Sequence, residues 1–227
     1  MSQAISVLVL RLEGVLQSWG EHAKWNNRDS SVMPTKSGII GLLGCALGWG
    51  REDKRFVTLS SKLKIVIRAD RAGRLVSDFH TVSAKKLMNA AGEPRQGGNT
   101  LVTNRYYLQD AYFTVFLIGE KDLLQKLEQA LKEPKWPLYL GRKSCVPSRP
   151  VLDGSIREFA TIDQAVSEVP YAERADATVM LEIETGSVDL TGTSLQRPDE
   201  LGEGHRAFVN RNVMRKTVQR GEGNVSQ

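Results

Sequence analysis

The chain has 227 residues, 41% of them hydrophobic and 25% charged, enough length and apolar content to bury a core of its own as one large or two small domains. Lys and Arg number 31 against 26 Asp and Glu, and the resulting net charge of +5 is compatible with a nucleic-acid partner without requiring one. Two cysteines, Cys45 and Cys145, exclude a disulfide framework and a zinc ligand set; with no secretory pattern at the N-terminus and no apolar run near the roughly 20 residues that span a bilayer, the expectation is a cytoplasmic protein with no membrane contact, no metal and no cofactor.

Ile5 to Leu12 is predicted as the first strand, apolar on both alternations and so suited to the centre of a sheet. Residues 14–35 are polar and without period, contain Trp19, Trp25 and Arg28, and read as a long loop of the kind that carries function. The run Met33-Pro-Thr-Lys-Ser-Gly-Ile-Ile-Gly-Leu-Leu-Gly-Cys-Ala-Leu-Gly-Trp-Gly50 then predicts a helix that begins at Pro34 and Thr35 and reaches about Leu47. Gly41, Gly44 and Gly48 share one face, and each interior glycine costs about 1 kcal/mol relative to alanine. A helix that keeps them is expected to use the missing side chains for close approach to a sheet or to a ligand backbone; a plain glycine-rich core helix is the alternative. The free amides of the first turn, with Lys36 and Ser37 beside them, are candidates for holding a phosphate. The glycine spacing matches neither a P-loop nor a dinucleotide fingerprint.

Lys62 to Ala69 alternates and predicts a second strand, and residues 75–82 predict another. Residues 83–104 change character: Lys85 and Lys86, then Gly92, Pro94, Gly97 and Gly98, read as a mobile insertion without a regular element. Tyr106 to Ile118 predicts one aromatic-rich strand, Lys121 to Lys132 an amphipathic helix stopped by Pro134, and Leu138 to Leu140 a further strand. That order is the ferredoxin-like one, an α+β fold with an antiparallel sheet and two helices on one face. The chain divides into residues 1–155, the domain with its insertion at about 83–104, and residues 156–227, a C-terminal extension packed on it. The extension holds a short helix over 161–169, a strand over 179–183 and a frayed tail.

Tyr139-Leu-Gly-Arg-Lys-Ser-Cys145 is the second strong local signal. A glycine ahead of two cations and a hydroxyl suits a phosphate-contact turn, with Tyr139, Arg142, Lys143 and Ser144 as candidates; a solvated basic turn is the plain alternative. Arg105-Tyr106 pairs a guanidinium with an aromatic ring and is a candidate for stacking on single-stranded bases, against an ordinary aromatic strand. His22, His80 and His205 stand apart, in no pattern that pairs a general base with a partner.

Leu10-Arg-Leu-Glu-Gly-Val-Leu-Gln-Ser-Trp-Gly20, Pro34-Thr-Lys-Ser-Gly-Ile-Ile-Gly-Leu-Leu-Gly44, Asp78-Phe-His-Thr-Val82 and Tyr139-Leu-Gly-Arg-Lys-Ser-Cys145, in that order, resemble the Cas-five family in its CasD form, subunits of the type I-E CRISPR surveillance complex Cascade. Arg206-Ala-Phe-Val-Asn-Arg211 is similar to the family's last basic segment. The resemblance implies an RRM-like domain with an inserted thumb hairpin, matching the insertion near 83–104. It implies an RNA-binding subunit of antiviral defence that caps the 5′ handle of the CRISPR RNA. Its partners would be that RNA, the backbone and large subunits, and target DNA through the assembled complex. Arg28, Lys36, Ser37, Lys85, Lys86, Arg105, Tyr106, Tyr139, Arg142, Lys143 and Ser144 are the expected RNA contacts, and no catalytic residue is expected. The related type I-C proteins cut precursor RNA with a Tyr, Lys and His set that has no visible counterpart here. A metal-independent endoribonuclease with His80 or His22 as base stays open beside the binding role, as does an RRM-like RNA binder outside CRISPR.

Overall fold

The computed structural model describes residues 4–22, 26–89, 91–94, 100–185, 193–203 and 207–220. Its elements, in chain order, are β1 (Ile5–Glu13), β2 (Leu16–Gln17), β3 (Asn27–Arg28), α1 (Lys36–Leu47), α2 (Arg55–Lys62), β4 (Lys64–Arg71), β5 (Arg74–Ser83), β6 (Thr100–Gln109), β7 (Tyr112–Ile118), α3 (Lys121–Lys132), β8 (Arg157–Phe159), α4 (Ile162–Glu168), β9 (Thr178–Glu184), β10 (Thr193–Leu201) and β11 (Phe208–Gln219). The fold is mixed α+β. A seven-stranded antiparallel sheet runs β10-β11-β9-β4-β7-β1-β8, and a smaller sheet joins β2, β6, β3 and β5.

The alternation of β1 divides the core. Leu8, Leu10 and Leu12, with Ile65, Ile67, Phe113 and Val115, pack under α1 and α3 through Ile39, Leu43, Leu124 and Leu127. Val7, Val9, Val66 and Phe116 face the other way and are covered by Ala165 and Val166 of α4. Each such fully buried side chain contributes about 1.5–3 kcal/mol, so a strand apolar on both faces belongs at the centre. Toward the end of that second face Arg11, Arg68, Asp70 and Thr114 replace the apolar residues. They satisfy one another: Arg68 Nε donates to Asp70 at 2.6 Å, Arg11 Nη1 to Thr114 at 2.8 Å, and Arg68 also binds the carbonyls of Val166, Val169 and Pro170.

Several elements differ from the sequence-based expectation. Tyr106 to Ile118 is two strands, broken where Asp110 adopts a φ of 56° and the chain turns back. Residues 100–104, expected to be irregular, are strand: β5 and β6 pair continuously from Arg74↔Gln109 to Ser83↔Thr100. Gly97, Gly98 and the preceding Arg95 lie outside the described residues, as do His205 and the last seven residues. The loop over 14–35 contributes β2 and β3, both of which pair with β6. Leu138 to Leu140 is not a strand. Leu140 is held at both backbone groups, accepting from Ser18 N at 3.0 Å and donating to Cys145 O at 2.7 Å, and the strand beside β1 is β8. Residues beyond 155 supply four strands of the large sheet, and β9 pairs directly with β4.

Candidate nucleic-acid interface

Helix α1 begins as expected. Thr35 is its N-cap and accepts from Gly38 N at 3.2 Å. At its far end Gly48 takes a left-handed φ of 72°, and the amides of Lys135 and Trp136 donate to the carbonyls of Ala46 and Cys45 at 3.0 and 3.3 Å. Carbonyls of the last helical turn thus anchor the segment after α3, and Trp136, 45% exposed, stands beside the helix.

A groove of about 1140 Å³ lies between them. Ser37, Gly38, Gly41 and Cys45 of α1 form its floor, Trp136 to Tyr139 with Lys143 one wall, and Ser18 to Gly20 with Arg28 another. Trp49, Arg51 and Phe56 close one end, and Leu201 and Phe208 reach in from β10 and β11. The expected glycine stripe divides into two uses. Within it, a methyl group on Gly44 would meet the Phe56 ring at 2.1 Å and one on Gly48 would meet Lys135 Cβ at 2.9 Å; outside it, one on Gly38 would meet Trp19 at 2.8 Å. One on Gly41 would meet nothing within 4 Å, because that position opens on the groove. The close packing of the stripe is against Phe56 of α2 and Lys135, not against the sheet.

The wall turns at Gly141, whose φ is 89°, and a methyl group there would lie 1.7 Å from the Ser18 carbonyl oxygen. Cys145 N closes the turn on Arg142 O at 2.8 Å, leaving Lys143 and Ser144 exposed at its apex. The Cys45 thiol beside the Tyr139 hydroxyl, with burial, pushes the phenol above its ordinary pKa. Arg28, Arg51 and Lys143 line the groove, and among the described residues no carboxylate does. Three cations on a lining without a carboxylate among the described residues, set among Trp49, Phe56, Trp136, Tyr139 and Phe208, suit phosphates and unstacked bases together.

The family model described as CRISPR-associated protein (Cas_Cas5) matches residues 7–219. The chain belongs to the Cas-five family. The CRISPR system Cascade subunit CasD of Escherichia coli (strain K12) is 35% identical over 162 residues, 66% of this chain and 71% of that protein. A solved structure described as a CRISPR RNA-guided surveillance complex contains a chain with TM-score 0.77 and 31% identity, covering 97% of this chain and 93% of that one. A second, described as the crystal structure of a Cas protein, has TM-score 0.73 and 33% identity and covers 97% and 98%.

Within this Cas-five fold the expected contact residues separate. Arg28, Ser37, Tyr139 and Lys143 converge on the groove. Ser144 is exposed beside them. Lys36 corrects an expectation: its ammonium is 1% exposed and bound by Glu184 at 2.8 Å and Glu200 at 2.9 Å. Its amide, at the helix start expected to hold a phosphate, donates to Asp199 Oδ2 at 2.9 Å. The helix start does hold an anion, and the anion is a carboxylate of this chain. Arg142 is likewise committed within the protein. Its Nη2 donates to the carbonyls of Arg28 at 2.7 Å and Asp29 at 3.2 Å, its Nη1 to Tyr106 O at 3.2 Å, and its guanidinium lies 4.6 Å from the centre of the Tyr107 ring. It ties the turn to β3 and β6, so a phenotype of Arg142→Ala would report structure as well as RNA contact.

Arg105 and Tyr106 are half-buried on β6, Arg105 beside Arg28 in the ladder and donating to Thr103 Oγ1 at 3.3 Å. Lys85 and Lys86 are exposed where β5 ends, away from the groove. The expectation overlooked Arg51, Trp49, Trp136 and Phe208. Trp136 had a visible signal, a tryptophan between Lys135 and Pro137 immediately after a helix stop.

Proposed function

We propose that this chain is an RNA-binding structural subunit of a type I-E Cascade complex, holding the 5′ repeat-derived end of the CRISPR RNA in the groove beside α1, and that it does not cut that RNA. The observation that carries the proposal is the groove with three cations, no carboxylate among the described residues, and aromatic side chains along its length. The relative named as a Cascade subunit and the surveillance-complex neighbour support the assembly. An RRM-like core is supported by the order β4-β7-β1-β8, all neighbours antiparallel, with α1 and α3 on one face. The β5–β6 hairpin is the element that would reach the adjacent backbone subunit. Its outer residues Leu75 and Phe79 are 49% and 70% exposed, and Lys85 and Lys86 lie at its far end. The non-catalytic role is supported by the histidines: neither His22 nor His80 lines the groove. No helix among the described residues is long and apolar enough to cross a membrane, and a cytoplasmic site of action suits a nucleic-acid complex.

Gly41→Leu tests the groove. The substitution removes a helix-interior glycine, worth roughly 0.5–1 kcal/mol of stability, and its Cβ meets no atom within 4 Å. The expected result is a melting temperature equal to or above that of the unaltered protein, together with handle-RNA affinity lowered by about tenfold or more, ~1.4 kcal/mol, and RNA recovered intact. Unchanged affinity, or site-specific cleavage, would overturn the proposal.

A further inference from the structure

A second cleft, of about 570 Å³, opens on the sheet face opposite α1, at the end from which the β5–β6 hairpin leaves. Its charges do not balance. Asp153 is taken by Arg11 at 2.9 Å and Arg157 at 3.6 Å, and Glu13 faces Arg71 at 3.8 Å. Arg149 and Arg174, both exposed, line the same cleft without an ion pair among the described residues; the remaining acid, Glu173, is exposed beside Arg174. Arg149 is aimed by a neutral partner: its Nη1 donates to the Tyr112 hydroxyl at 3.0 Å. Burial pushes that phenol up, against the smaller opposing pull of Arg11 and Arg149, so it remains uncharged and leaves the guanidinium cationic.

The cleft is also close to the groove. Val146 lines the groove and Arg149 lines the cleft. They are three positions apart in the chain, so their Cα atoms are at most about 11 Å apart. The segment is fixed, since Ser148 N donates to Glu13 O at 2.8 Å. A polymer that carries one negative charge per unit and leaves the groove round the end of the sheet meets Arg149 and Arg174 next. Guanidinium forks match phosphodiester oxygens.

We infer that this cleft is a second, sequence-independent site for the phosphodiester backbone of a single strand. As to where that strand comes from, the inference rests on the groove as the handle site. The strand is either the guide continuing past its handle or a separate DNA strand.

The test uses the full-length protein, the double variant Arg149→Ala/Arg174→Ala and its Arg→Lys counterpart. The probes are fluorescent handle RNA, handle RNA extended into the spacer, and a thymidine DNA oligomer, each titrated with salt. The double Ala variant should bind handle RNA as the unaltered protein does. It should bind the extended RNA less tightly, with the log–log salt slope shallower by about 1.4, the value for two single-strand phosphate contacts. The Lys variant should retain most of the slope. A loss confined to the thymidine oligomer identifies the separate strand and supports the site equally. No change with any oligonucleotide overturns the inference, and so does cleft-dependent binding of polyglutamate alone, which would assign the cleft to an acidic protein segment. Arg174→Ala by itself, a change at an exposed residue without an ion pair among the described residues, gives half the slope change should the double variant melt early. Failure of the groove reading appears separately, as handle-RNA binding that ignores Gly41→Leu.

Discussion

Glu182→Ala is expected to destabilise the protein by about 3–5 kcal/mol, a large share of the roughly 5–15 kcal/mol that keeps an ordinary domain folded. Glu182 is 1% exposed and accepts from Arg197 at 2.7 Å, Arg211 at 2.9 Å and Arg215 at 2.9 Å. Removing it leaves three guanidiniums together, and the close acids left to them among the described residues are Asp199, 2.6 Å from Arg211 and 3.6 Å from Arg197, and Glu21, 2.9 Å from Arg197. The lattice continues through Asp199 to the start of α1 and through Lys36 to Glu184 and Glu200, so the C-terminal strands and the floor of the groove would loosen together. Urea unfolding of the variant checks this, and a midpoint close to that of the unaltered protein would refute it.

Acid should reveal the same lattice. Burial pushes the Asp199 carboxyl up, but the Arg211 hydrogen bond, the charges of Arg211 and Arg197 and the Lys36 amide outweigh it, and its pKa lies below 3.8. A carboxyl depressed on folding contributes stability that is present above its unfolded pKa and lost as pH falls through the folded one. The stability gap between the protein and Asp199→Asn should therefore hold above pH 3.8 and close below it.

Gly141→Ala is the second large effect expected. A φ of 89° is foreign to alanine, with strain of about 1–3 kcal/mol. The added methyl group also falls 1.7 Å from the Ser18 carbonyl, so the turn must move, with overpacking of about 1–3 kcal/mol more. Leu140, Ser18 and the Arg142 contacts to β3 and β6 move with it. Lowered melting temperature and weakened handle binding should appear together, whereas Gly41→Leu should separate them. A Gly141→Ala protein of unaltered stability would contradict the geometry of the wall.

Elements with a strong period were legible in the sequence. β1 shows as an apolar run and α3 as Leu123, Leu124, Leu127 and Leu131 on one face, because burial selects those residues directly. β10 and β11 were not. Their inward positions hold Arg197, Asp199, Arg211 and Arg215, and a strand whose buried side is an ion lattice looks polar on both faces. Lys36 was misread for the same reason. A helix start with a lysine looks identical whether its anion is a phosphate or Asp199, which lies 163 residues away in the chain.

The groove was half legible. Ser37 and Tyr139 with Lys143 stand in two local motifs. Arg51 carries no local signal, and Phe208 stands in the Arg206–Arg211 segment without marking itself as a contact; both reach the groove through the end of α1 and the β10–β11 pairing, which are tertiary facts. Arg142 shows the limit from the other side: a basic turn residue of the expected kind whose hydrogen bonds are internal.

The most direct measurement of the central claim is photocrosslinking of 4-thiouridine, placed through the 5′ handle of the guide RNA, in the assembled complex, with the adducts on this subunit mapped by peptide mass spectrometry. Groove binding predicts adducts on the peptides that carry Trp136 to Lys143 and Ser37 to Arg51. Handle adducts confined to the outer faces of α3 and α4, with the groove peptides unmodified, would contradict it.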